Sequence, residues 1–355
     1  MARVVHNESV RSRRAYHKRI MLWSLVVVLA ASVLLPLTGY VYVSLVPAHA
    51  AAQEADNPRA NYWRAVRDGD RGYTAVTGQE TNVLIQNGGE NWRQIRNGPV
   101  ATYGSILMAA ALLVFGLFHI ILGPARLAEG RSGRKVLRWS VFERTMHWFV
   151  AILFIILAVT GLSLLYGRAV LIPLLGLQGF AAYAQVAKAL HNYLGPAFIV
   201  GLVLMLAVWM RESFFRSYDW EWLKKGGGYI GKSHPHAGRV NAGEKIWFWV
   251  LFFAGLGVAV TGVFLNFPNY GFDRSTMQWS NVLHDSLGML LIAFAFGHIY
   301  LGTIGNEGSF EGMWSGYVDE NWAKQHHDVW YEEEVQGGQG GAQEPGQAQP
   351  KTSAT

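Results

Sequence analysis

Long apolar runs separated by shorter polar stretches dominate the chain, and six of the runs approach or exceed the twenty or so residues that a helix needs to cross a bilayer. They lie at 20–46, 101–123, 141–166, 188–210, 246–267 and 281–304. The polar stretches alternate in character. Arg126, Arg131, Arg134, Lys135 and Arg138 crowd the stretch after the second run, and Arg211, Arg216, Lys224, Lys225, Lys232, Arg239 and Lys245 that after the fourth. The stretches after Tyr166 and after Phe267 hold only Arg168 and Arg274 before the next run. Cations gather on the cytoplasmic side of membrane helices, so the pattern places the two cation-rich loops inside and the other two outside. The fold class expected is an all-α polytopic membrane protein.

The first run follows Arg11, Arg13, Arg14, Lys18 and Arg19 and ends at Ala48-His49-Ala50, so residues 1–50 read as a signal peptide or a signal anchor. Residues 51–100 read as an extracytoplasmic segment, 101–123 as an extra transmembrane helix, 135–318 as a four-helix core, and 319–355 as a cytoplasmic tail. Between Asn306 and Glu334 the chain is polar yet rich in Trp and Tyr, which suggests order against a partner or the membrane interface. The closing Gly- and Gln-rich stretch has the composition of a disordered end.

Histidines inside the runs carry the candidate chemistry. His284 and His298 lie on one predicted helix, fourteen residues apart, which is about 21 Å along the axis and within about 40° in azimuth. His191 lies near the outer end of its run and His147 near the inner end of another. By depth, His191 matches His284 and His147 matches His298. Ionisable residues within a membrane span are costly and usually mark a partner or cofactor. Two cross-helix histidine pairs suit two haems, each held on both faces, a low-spin arrangement for electron transfer. Buried neutral imidazoles, a metal site and a proton relay are the competing readings. Zinc sites gather more ligands at one depth, and relays use intramembrane carboxylates, of which only Asp285 comes near.

The elements Leu190-His191-Asn192-Tyr193-Leu194-Gly195 and Leu283-His284-Asp285-Ser286-Leu287-Gly288 share a pattern with glycine four residues beyond each histidine, on the same helix face. Glycine there leaves room for a flat macrocycle, although it also serves close helix packing. His119 reads as structural or interfacial, and His234 and His236 as solvent-exposed.

Composition sharpens this picture. The chain of 355 residues is 51% hydrophobic and only 15% charged, as membrane proteins are. Without a single cysteine it cannot hold thiolate-bound iron–sulfur clusters or covalently attached haem, so a redox group must hang on His or Met. Its net charge of +6 is explained by the membrane-facing loops, and no nucleic-acid partner is expected.

Arg144-Thr145-Met146-His147-Trp148, the Leu190–Gly195 element, Asn241-Ala242-Gly243-Glu244-Lys245 and the histidine spacing of the last run together resemble the cytochrome b (gamma) subunit of respiratory formate dehydrogenases, in a long form with an N-terminal extension. The resemblance implies a four-helix di-haem cytochrome b bundle with two b-type haems. His191 and His284 would ligate the outer haem and His147 and His298 the inner one, with Asn241 and Gly243 at a quinone site on the cytoplasmic side. It further implies an iron–sulfur (beta) subunit and a molybdenum or tungsten catalytic (alpha) subunit as partners on the periplasmic face of a bacterial inner membrane. Cytochrome b subunits of nickel–iron hydrogenases and thiosulfate reductases share the architecture. A haem-free anchor or small transporter is the alternative from another class.

Overall fold

The structure is a computed structural model that describes residues 91–229 and 234–336, together with Val27, Ala30 and Leu34. The expected signal segment, most of the extracytoplasmic segment and the low-complexity end therefore lie outside the described residues. Four described helices are long and apolar enough to cross a membrane: α1 (Asn91–Leu122), α2 (Val141–Trp209), α4 (Ala242–Asn266) and α5 (Arg274–Thr303). Shorter elements join them, including α3 (Ser217–Lys224), α6 (Ser309–Ser315), α7 (Glu320–His326), and strands β1 (Lys135–Leu137) and β2 (Tyr317–Asp319).

Helix α2 corrects the expected loop after Tyr166. Its 69 residues contain one break, at Gly176, where φ is 71° and ψ is 172°, backbone that a side chain would strain. The chain reverses there. Tyr183 donates to Ser163 across the turn at 2.8 Å, and a Cβ on Gly167 would fall 2.2 Å from the Phe180 ring. The two limbs, 141–175 and 177–209, are thus antiparallel neighbours, each long enough to cross a bilayer. A single glycine makes the turn because the surrounding residues are apolar and satisfy their backbone groups within the helices. Helix α1 likewise starts ten residues before the apolar run, at Asn91, through a π-helical turn at Arg96–Val100.

The helix starts are written in the sequence. Ser140 and Glu143 form a capping box at the start of α2, and Asn241 and Glu244 form one at the start of α4. Each pair satisfies two backbone N–H groups that the first turn leaves without partners.

The described chain divides into two compact units. One comprises residues up to 110 with 148–203 and 253–293; the other comprises 111–147, 204–252 and 294–355. In the second unit, β1 pairs antiparallel with β2, with Val136 opposite Val318. Val318, Trp322, Ala323, Trp330, Tyr331 and Leu127 form a buried cluster behind that ribbon. Part of the aromatic stretch after Asn306 therefore packs against its own chain.

Cations that looked like loop charges are tied into this unit. Arg138 lies between the Trp139 and Trp322 rings and pairs with Glu244 at 3.0 Å, while Arg239 pairs with Glu143 at 2.8 Å and Glu212 at 2.6 Å. Lys245 and Asp219 form a fully buried ion pair at 2.6 Å. Breaking a buried pair from one side strands a charge, so Lys245→Met should destabilise the protein by about 3–5 kcal/mol. Thermal unfolding in detergent checks this; adding Asp219→Leu should recover most of the loss, because the stranded carboxylate is then gone.

Candidate functional site

His191, on the second limb of α2, faces His284 on α5, and their ring centroids are 6.1 Å apart. His147, one and a half turns into α2, faces His298 on α5, again at 6.1 Å. The structure brings the four histidines together in the pairs expected from their depths. A metal bound between two imidazoles by bonds of about 2 Å sets the ring centroids about 6.3 Å apart, since each bonded nitrogen lies about 1.1 Å from its centroid. The observed separations leave room for an iron between the rings of each pair. Direct hydrogen bonding between the rings would draw them closer, because N–H···N contacts are near 3 Å.

The surroundings of the His191/His284 pair fix which nitrogen is free. Thr160 Oγ1 lies 3.0 Å from His191 Nδ1 and donates its own proton to Ile156 O at 2.7 Å. Thr261 repeats the arrangement, 3.1 Å from His284 Nδ1 and donating to Gly257 O at 2.7 Å. Each hydroxyl has spent its proton on a carbonyl, so it accepts from the imidazole. The tautomer with hydrogen on Nδ1 follows, which leaves Nε2 with a lone pair that could ligate a metal. His284 Nδ1 also reaches Val258 O at 3.1 Å.

Glycine backs each ring. A Cβ on Gly161 would meet His191 Cε1 at 3.2 Å, and one on Gly262 would meet His284 Cε1 at 3.2 Å. Alanine at either position would require the imidazole to give by a few tenths of an ångström. Both contacts come from a repeated element, Ala158-Val159-Thr160-Gly161 and Ala259-Val260-Thr261-Gly262. Sequence reasoning missed this repeat, which was visible as four identical residues on the two helices that precede the histidine-bearing elements.

Space for a macrocycle is present too. Gly195, Gly288 and Gly302 each lie four residues beyond a candidate ligand, and an added Cβ at any of them would meet nothing within 4 Å. Open space on the histidine face of a helix is what a flat group edge-on to the bundle requires, and close helix packing would have filled it. Gly302 extends the pattern to His298, which the shared six-residue element did not reveal. On the other side of His298, Trp247 stacks at 5.2 Å with an interplanar angle of 19°. The donor set and its surroundings fit b-type haem.

The Asn241–Lys245 element has a firm structural role at each polar position. Asn241 Oδ1 accepts from Glu244 N at 2.9 Å as a helix cap, which leaves its amide N–H groups to meet a ligand. Gly243 lies under Trp222, whose ring would be 2.9 Å from an added Cβ. Glu244 holds Arg138, and Lys245 holds Asp219. Of the remaining histidines, His119 Nδ1 lies 3.2 Å from the Tyr300 hydroxyl, in keeping with a structural role. His234 and His236 are exposed, and the Asp328 carboxylate beside His236 holds its imidazole above the usual histidine range.

Comparison with known proteins agrees with this geometry. The chain is 29% identical over 207 residues to the cytochrome b556(Fdn) subunit of the nitrate-inducible formate dehydrogenase of Escherichia coli K12, covering 57% of this chain and 93% of that one. It is 27% identical over 214 residues to the formate dehydrogenase cytochrome b556 subunit of Haemophilus influenzae, covering 58% and 87%. A putative cytochrome of Escherichia coli, YdhU, is 24% identical over 232 residues, covering 60% of this chain and 86% of that one. Residues 138–316, the stretch that holds all four paired histidines, match the prokaryotic cytochrome b561 family, and the chain belongs to that family.

Proposed function

We propose that this membrane cytochrome b is the electron-transfer subunit of a formate dehydrogenase, taking electrons from an iron–sulfur partner on the periplasmic face and delivering them to quinone at the cytoplasmic side. The two facing histidine pairs, each at the ring separation of a doubly ligated iron, carry the reading. The names of the relatives point to formate as the source of electrons. Haem, when bound, supplies reversible one-electron chemistry at potentials set by its surroundings.

In this reading His191 and His284 hold the outer haem, and His147 and His298 the inner one. Thr160 and Thr261 orient the outer ligands by accepting their Nδ1 protons, and Gly161 and Gly262 let those rings stand in line. Fourteen residues of α5 separate His284 from His298, a rise of about 21 Å along one helix, so electrons traverse much of the membrane without a moving part. Asn241 keeps its amide N–H groups for a quinone carbonyl, with the backbone at Gly243 beside it. Quinone reduced at that side draws its protons from the cytoplasm.

In this reading the protein lies in a bacterial inner membrane, the cation-rich loops support an orientation with those loops inside, and residues 135–318 form the cytochrome core. A molybdenum or tungsten subunit oxidises formate outside and passes electrons through the iron–sulfur subunit. Affinity purification from native membranes tests the assignment: the chain should bring both partners with it, and formate should reduce its b-type absorbance. Reduction by hydrogen and not by formate would assign it to a hydrogenase instead.

A further inference from the structure

Helix α1 lies before the stretch that matches the family, and it reaches the His191/His284 site through a charge. Arg96 Nε pairs with Asp285 Oδ2 at 2.5 Å, and Asp285 is the residue after His284. Their side chains are 25% and 18% exposed, so solvent screens the pair only in part.

Two further contacts seat α1 there. Tyr166, on α2, donates to Ala101 O at 2.7 Å. Gly104 lies so close to α5 that an added Cβ would come within 2.0 Å of Met289 Sδ, one turn beyond Asp285. A larger residue at 104 would force the Met289 side chain to move.

We propose that Arg96 is a potential-setting residue contributed by α1, its guanidinium balancing the Asp285 carboxylate beside the ligand His284. The inference rests on the assignment of His191 and His284 as haem ligands. Its physics is short. Ferric haem carries one more positive charge than ferrous haem, so an uncompensated carboxylate nearby favours the oxidised form and an uncompensated guanidinium the reduced form. With the two balanced, the outer haem keeps a potential at which it can accept electrons; loss of either charge moves it in a known direction.

Three variants of the full chain, Asp285→Asn, Arg96→Gln and the double substitution, are compared by equilibrium redox titration of the b-type absorbance. Asp285→Asn should raise the outer midpoint potential and Arg96→Gln should lower it, each by up to a tenfold change in the oxidation equilibrium, about 59 mV for one electron. The double substitution should return close to wild type, Arg96→Lys should stay there, and the inner haem should keep its value throughout. Unchanged outer potentials in both single variants, with haem retained, would overturn the proposal. So would loss of the outer haem in both, which would assign the pair to holding α1 in place. Absence of haem from the wild-type chain would instead overturn the ligand assignment on which the proposal rests.

Discussion

Replacing His284 by alanine should remove about half of the b-type haem and leave the remainder spectrally intact, because in the proposed assignment each iron depends on its own histidine pair. His191→Ala should remove the same half, since its ring faces His284 at 6.1 Å. His147→Ala and His298→Ala should remove the other half. The four substitutions thus sort into two spectral classes by pair, and His284 and His298 fall into different classes although they share one helix. Electron flow from formate to quinone should be abolished in all four, as a wire fails at any break. Haem content by pyridine haemochrome, with low-temperature difference spectra, reads the result. Full haem content in every variant would show that the histidines are core residues.

At the other end, Asn241→Asp should leave both haems reducible by formate yet slow their reoxidation by quinone at least about tenfold, because a carboxylate accepts but cannot donate to a quinone carbonyl. Aspartate is chosen because Asn241 is also a helix cap. Asp caps as well as Asn, whereas a substitution without a side-chain acceptor, such as leucine, would cost about 1 kcal/mol of helix stability and confuse binding with folding. Stopped-flow reoxidation with a soluble quinone analogue separates the two steps. Unimpaired reoxidation in the aspartate variant would move the quinone site elsewhere, and would leave Asn241 with the capping role alone.

Much of the site was legible because imidazoles inside apolar runs stand out, and their depths alone suggested which pairs could meet. The threonines were not, since a hydroxyl within a membrane helix ordinarily bonds its own backbone, and Thr160 and Thr261 do that as well as meeting the histidines. Only the repeated Ala-Val-Thr-Gly element could have singled them out. The reversal at Gly176 was hidden for a different reason: a turn expected to be polar is made by one glycine in an apolar setting. Charge patterning suggested a sidedness for the loops but not the pairing of their charges, because Arg138, Arg239 and Lys245 read simply as loop cations and in the structure hold carboxylates. Asn241 and Glu244 carry the signature of a capping box, and the resemblance drew attention to quinone instead.

The central claim is that electrons pass through the chain from a donor outside to quinone inside. Its most direct test uses the intact complex in sealed proteoliposomes, with formate supplied outside, quinone in the bilayer and a potential-sensitive dye. Formate oxidation should generate a membrane potential, negative on the side of Asn241, with proton uptake from that side alone and collapse of the potential by an ionophore. Quinone reduction at full rate with no potential, or with protons taken up on the formate side, would contradict the account.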